Sequence, residues 1–179
     1  SMWENTSAVW TDVNSDTYPD LVITNGGNEY YGTDEHLLPL LYLNDGNGNL
    51  SRKADAFKGI ASTQSVVTPF DFNQDGFTDL FIGSRTVPWN YGKTPASFLL
   101  QNDGQGNFTD VTNQYAPGLA NAGMITHAVW FDLDGDGKKD LLASYEWGGV
   151  DVFLNRQKLF EKQTLAIEQG WWNFILPAD

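Results

Sequence analysis

Three short stretches place oxygen-bearing side chains at positions 1, 3, 5 and 9 of a nine-residue loop. They are Asp12, Asn14, Asp16 and Asp20; Asp71, Asn73, Asp75 and Asp79; and Asp132, Asp134, Asp136 and Asp140. Side chains at positions 1, 3, 5 and 9 of one tight turn converge, and the backbone carbonyl of position 7 adds a further oxygen, from Tyr18, Phe77 and Lys138 respectively. Six to eight hard oxygens at about 2.3–2.6 Å are what calcium takes, whereas magnesium retains waters and seldom occupies a cage made by protein alone. The chemistry predicted is therefore binding of up to three calcium ions. Glycine at position 6 allows the chain to reverse in the second and third loops (Gly76 and Gly137). Thr17 stands there in the first loop, which predicts a strained and weaker site. An EF-hand would carry a bidentate Glu at position 12, where this chain has Ile23, Ile82 and Ala143, so the loops are of another kind.

The elements around the loops repeat with them. The loops recur 59 and 61 residues apart, each preceded by an apolar or alternating stretch (8–11, 67–70, 128–131) and followed by another (21–23, 80–82, 141–143). Both flanks read as β-strands. Downstream, 40–43 leads into Asn44, Asp45, Gly46, Asn47 and Gly48, and 98–101 leads into Asn102, Asp103, Gly104, Gln105 and Gly106, which supply the left-handed positions of tight hairpins. In the third copy, 152–160 keeps the strands without the glycines, so its turn is built differently. Four short strands per unit, repeated at about sixty residues, predict an all-β chain: a β-propeller fragment of three four-stranded blades. An ordinary β-sandwich would not need the same loop at a fixed period. The repeats span approximately 7–64, 65–125 and 126–170. Residues 171–179 align with the strands that enter the loops and are expected to be the first strand of a fourth blade, with Asp179 at the first metal position, as in a piece of a longer protein.

Composition narrows the partners. The net charge is −13, and ten of the 23 acidic residues lie inside the three loops, so three calcium ions would bring the charge to −7. A nucleic-acid partner needs a basic patch, and the ten Lys and Arg are scattered. No apolar run approaches the roughly 20 residues that span a bilayer. The absence of cysteine excludes disulfide stapling and thiolate metal sites.

On the three Asp loops, the Asp-Leu pairs that follow them (20–21, 79–80, 140–141) and the Asn-Asp-Gly turns, the chain resembles the FG-GAP-like, VCBS-type calcium-binding propeller repeat over essentially its whole length. Integrin-type members carry a fuller Phe-Gly and Gly-Ala-Pro signature, of which 81–84 is only a trace, so the resemblance is to the bacterial repeats. It implies an extracellular, cell-surface or periplasmic protein with calcium in the loops. It also implies that the innermost strand runs into the calcium loop, with the metal loops and Asn-Asp-Gly turns on one face and the variable loops 25–39, 83–97 and 144–150 on the other. Those loops carry Tyr30, Tyr31, Trp89, Tyr91 and Trp147, aromatics suited to stacking on sugar rings or to burying a protein partner's side chains. Trp10, Trp130, Trp171 and Trp172 read as core or blade seam. The function expected is a noncatalytic module with structural calcium and a rim that binds a glycan or an extracellular protein. The alternative is a fragment of a polysaccharide lyase or another carbohydrate-active enzyme, with Arg85, Lys93 and Tyr91 as its candidates; outside the metal loops no paired carboxylates or nucleophile-and-base arrangement is present to serve as catalytic residues. Open blade edges predict self-association.

Overall fold

A computed structural model of the chain describes residues 3–177. It contains three four-stranded antiparallel sheets, each formed by strands consecutive in sequence. The first comprises β1 (Asn5–Thr11), β2 (Asp20–Asn25), β3 (Leu40–Asn44) and β4 (Leu50–Arg52). The second comprises β5 (Thr63–Pro69), β6 (Leu80–Thr86), β7 (Phe98–Asn102) and β8 (Phe108–Asp110). The third comprises β9 (Ile125–Phe131), β10 (Asp140–Tyr145), β11 (Val150–Asn155) and β12 (Phe160–Thr164). Among the described residues, helix is confined to a 3-10 turn at Glu35–Leu37 and one α-turn, α1 (Thr112–Tyr115). Three blades are thus present in the order the repeat predicts.

The blades meet through their first strands, β1 against β5 and β5 against β9, so these strands lie nearest the axis. The middle blade is covered on both faces, and β6 shows the consequence. Successive side chains of a strand point to opposite faces. Leu80 and Ile82 enter the seam with the first blade, beside Val22, Leu41 and Val67, while Phe81 between them enters the seam with the third, beside Leu99, Leu141 and Phe153. A strand buried on both faces must be apolar throughout, which is why 80–82 carries no alternation. At Gly83 a Cβ would stand 2.7 Å from Val66 Cγ1 and 2.8 Å from Ile125 Cγ2, so the absence of a side chain is what lets β9 approach. The outer strands β4, β8 and β12 are mostly exposed.

The third hairpin is indeed built differently. The residues paired across the turn are Asn44 with Leu50 and Asn102 with Phe108, but Asn155 with Phe160, so the turn is one residue shorter and reverses through left-handed Gln157 (φ 66°). Residues 171–177 form no strand. Without a blade of its own the segment has no ladder partner and runs irregularly beside β9: the Trp172 carbonyl accepts from the Thr126 hydroxyl, and the Ile175 N–H faces His127 Nδ1 at 3.5 Å. Asp179 lies outside the described residues. Of the four tryptophans expected in core or seam, only Trp130 is buried, at 7% exposure. Trp10 is exposed because it stands on the face of β1 opposite Val9, a face turned away from the second blade, and Trp171 and Trp172 lie on the irregular tail.

Candidate functional site

The three acidic loops join β1 to β2, β5 to β6 and β9 to β10, at one end of the blades, and their backbones are organised alike. The first aspartate collects loop amides: Asp12 accepts from Ser15 N (2.8 Å) and Thr17 N (2.8 Å), Asp71 from Asp75 N (3.1 Å) and Gly76 N (2.9 Å), and Asp132 from Gly135 N (2.8 Å) and Gly137 N (2.9 Å). Positions 4 and 6 of every loop are left-handed, namely Ser15 and Thr17, Gln74 and Gly76, Gly135 and Gly137. Thr17, at φ 74°, is therefore forced into the conformation its glycine counterparts adopt freely.

The ninth-position aspartates have a second task that spacing does not reveal. Asp20, Asp79 and Asp140 are fully buried, and each spans two chain segments with its two oxygens. Asp79 accepts from Phe72 N (3.3 Å) and from Asn102 N (2.9 Å); Asp20 does the same with Val13 and Asn44, and Asp140 with Leu133 and Asn155. The asparagine so held is the first residue of the hairpin turn. Asn102 is itself buried: its amide donates to Thr78 O (2.9 Å) and, across the seam, to Val13 O of the first blade (2.8 Å), while its Oδ1 accepts from Gly104 N and Gly106 N. Asn155 repeats the seam bond with Phe72 O of the second blade (3.1 Å). These asparagines are structural residues that sequence reasoning took only for turn formers. The place of Asn102 directly before Asp-Gly was the available signal; Asn155 precedes Arg-Gln and carried none.

The donor sets fit a hard cation. In the third loop Asp132, Asp134 and Asp136 each bring a carboxylate oxygen within 4.8 Å of the others, as ligands around one ion do. In the second loop, burial pushes Asp79 up to about 7; the Asn102 and Phe72 amides oppose this and the charges of Asp75 and Asp71 add to it, so negative charge there is under-compensated. A divalent cation would supply the compensation. The third loop differs in already holding two side-chain cations. Lys138 Nζ lies 2.6 Å from Asp136, and Arg156, from the shortened turn, lies 2.7 Å from Asp134; the Lys138 bond is the chief cause holding the Asp136 carboxyl below its ordinary value. Phe77 and Tyr18, at the position of Lys138, instead lay their rings against Gly104 and Gly46, where a Cβ would clash.

The connections β2–β3, β6–β7 and β10–β11 lie at the opposite end of the strands. A cavity of about 800 Å³ opens there, lined by residues of all three blades, among them Thr63, Gln64, Arg85, Trp89, Tyr91 and Glu146. Arg85 Nε binds Glu146 Oε2 at 2.7 Å and the Tyr91 hydroxyl donates to Oε1 at 2.6 Å. The Arg85 bond holds the Glu146 carboxyl below its usual value, and Glu146 in turn raises Tyr91. Trp89 is 71% exposed, its N–H held by Asn28 Oδ1 of the first blade at 2.7 Å. Tyr91 packs edge-on against Trp147, with centroids 5.3 Å apart. Of the five rim aromatics, Trp89 and Tyr91 thus line the cavity, and Trp147 adjoins it only through Tyr91. Tyr30 stacks on His36 (4.1 Å, 8°) and, like exposed Tyr31, stands outside the cavity. Glu146 gave no sequence signal, because its partners are 55 and 61 residues away.

Comparison with known proteins adds three findings. A sequence model of the FG-GAP-like repeat matches residues 12–82 and again 71–143. Phosphatidylinositol-glycan-specific phospholipase D of Mus musculus is 27% identical over 194 residues, covering 95% of this chain and 22% of that protein. A β-propeller lectin of Agrocybe aegerita, solved for its specific recognition of non-reducing terminal N-acetylglucosamine, superposes with a TM-score of 0.51 at 18% identity, covering 88% of this chain and 37% of that one. The chain therefore spans well under half the length of either.

Proposed function

The chain belongs to the FG-GAP-like repeat family, and from that premise we propose that it is a noncatalytic propeller module of an extracellular protein, with calcium bracing one end of its blades and a glycan or protein ligand bound at the other. The observation that carries this reading is the division of the molecule: carboxylates converge at one end, while exposed Trp89 and Tyr91 line a cavity at the other, with exposed Trp147 packed against Tyr91. Asp71, Asn73, Asp75 and the Phe77 carbonyl would hold the ion in the second loop, and Asp132, Asp134, Asp136 and the Lys138 carbonyl in the third, with Asp79 and Asp140 tying each loop to its hairpin. Asp12, Asn14, Asp16 and the Tyr18 carbonyl form the first and most strained set, with Asp20 tying that loop to its hairpin in the same way. In the second loop the ion supplies positive charge to carboxylates otherwise met by amides, and in the third it adds to the charges of Lys138 and Arg156. The glycan recognition of the Agrocybe aegerita lectin supports the carbohydrate reading, as a property of that protein. A lyase reading is weakened by Tyr91, whose hydroxyl donates to Glu146 and is thereby made a poorer proton acceptor near neutrality.

The test combines melting with a glycan array. A ligand at 100 times its Kd adds about 2.7 kcal/mol, and each kcal/mol moves the midpoint of a chain this size by about 2–4 °C. Removing calcium with excess chelator is therefore expected to lower Tm by roughly 5–10 °C. Unchanged melting, together with an array on which the calcium-loaded protein binds nothing, would defeat the proposal.

A further inference from the structure

We infer that the three-blade cavity is the sugar subsite itself, shaped for one uncharged, hydroxyl-rich pyranose unit rather than for an acidic sugar. This rests on the glycan reading above and names its place and chemistry. A cavity of about 800 Å³ is in the range of small-ligand sites. Its walls come from separate repeats that are held together only by tertiary contacts: Asn28 from the first blade, Trp89 and Tyr91 from the second, Glu146 from the third.

Each wall offers what a sugar needs. The Trp89 indole stands free at the mouth, while its backbone is fixed in the left-handed region (φ 61°) by the bond to Asn28; a bulky residue held there against its preference is a feature that clusters at ligand sites. An exposed indole presents a flat apolar face to the C–H groups of a pyranose. Arg85 is fixed through Nε, so its two terminal nitrogens, in a side chain 45% exposed, remain to donate to hydroxyls. On the floor, Thr63 is buried, and its hydroxyl is the one buried side-chain polar atom without a hydrogen-bond partner among the described residues. Buried hydroxyls are ordinarily paired, and a small shift of the lining on binding would open this one to a sugar hydroxyl, the partner it lacks.

The charge selects the class. Arg85 is matched by Glu146, whose carboxylate is nearly inaccessible and held ionised by two donors, and Glu4 adds a further negative charge to the lining. The cavity has no surplus positive charge with which to attract a uronate or a sialic acid, and the chain around it carries −13. A neutral hexose or N-acetylhexosamine meets donors, an acceptor and an aromatic face without that repulsion.

Titration of the calcium-loaded protein with methyl glycosides of neutral hexoses and N-acetylhexosamines, and with methyl glucuronoside, tests this by tryptophan fluorescence and by NMR of the indole N–H groups. The expected result is saturable binding of a neutral glycoside, weakened at least tenfold by Trp89→Ala and by Thr63→Val, with melting not lowered in either variant, since Trp89 is exposed and Thr63→Val removes a buried hydroxyl that bonds nothing in the protein. Tighter binding of the glucuronoside would overturn the charge argument. Binding unmoved by either variant, or lost in Trp89→Ala alone, would place the sugar elsewhere or on the rim and overturn the cavity assignment while leaving the glycan reading intact. No binding of any glycan, here or on the array, would overturn both.

Discussion

Replacing Asn102 with Ala isolates the seam between blades from the blades themselves. The side chain takes part in four hydrogen bonds, two donated to Val13 O and Thr78 O and two accepted from Gly104 N and Gly106 N. At about 0.5–1.5 kcal/mol net for each bond, and with the carbonyl of fully buried Val13 left unpaired, the loss comes to about 3–5 kcal/mol. Asn44 supplies the comparison. It opens the equivalent turn, but its side chain bonds only Pro19 O and Gly46 N, is half-buried and reaches no other blade, so Asn44→Ala is expected to cost about 1 kcal/mol. Asn155, with its bond to Phe72 O, should resemble Asn102. Urea unfolding at fixed calcium, followed by tryptophan fluorescence and circular dichroism, gives the three values. The first blade should also lose cooperativity with the rest in Asn102→Ala, because units of a repeat protein are coupled only through their interfaces. Equal costs for Asn102→Ala and Asn44→Ala, within about 0.5 kcal/mol, would refute the view that these asparagines clamp the seams.

Two further outcomes follow from local geometry. Thr17 and Gly137 occupy the same left-handed position in different loops, so Thr17→Gly should stabilise the chain by about 1 kcal/mol and Gly137→Thr destabilise it by about 1–2 kcal/mol; thermal melting at saturating calcium reads both, and changes of the same sign would refute the strain argument. Burial pushes the His127 imidazole below its ordinary value, so between that depressed value and about 6.5 the unfolded chain binds the extra proton. Stability should therefore be complete above about pH 6.5 and fall as the pH is lowered through the window, and the component should vanish in His127→Gln; identical melting-versus-pH curves for parent and variant would exclude it.

The blades were legible because their information is local and repeated. An Asp loop between two apolar runs, and an Asn-Asp-Gly turn between two more, specify four strands without reference to anything distant, and three copies in register leave little choice of architecture. The uninterrupted apolar run at Leu80, Phe81 and Ile82 suits a strand covered on both faces, but Leu21, Val22 and Ile23 show the same run where only Val22 is fully buried, so the run marks the second strand of a blade and not the blade's place among its neighbours. The tail was less legible. Its resemblance to a loop-entering strand is real at the level of residue types, but a strand exists by pairing, and nothing among residues 3–177 is there to pair with 171–177. The exposure of Trp10 has the same origin: a residue type can specify a seam, but the seam needs a second blade.

What the sequence could not carry is whatever depends on two repeats at once. Glu146 meets Arg85 and Tyr91 because the third blade packs against the second, and Asn102 reaches Val13 O because the second packs against the first; neither fact lies within any single repeat. This also explains why the two ends of the molecule differ in kind. At the acidic end each loop is closed by its own amides and its own ninth-position aspartate, so it is built once per repeat and keeps its pattern. At the opposite end the connections vary in length and sequence, and the cavity belongs to none of them singly. A site assembled across seams can hold a ligand only while the seams hold. The buried asparagines that bridge blades at the acidic end thereby bear on the geometry of Trp89, Arg85 and Thr63 at the other, and loss of Asn102 should weaken sugar binding without removing any group that touches the sugar.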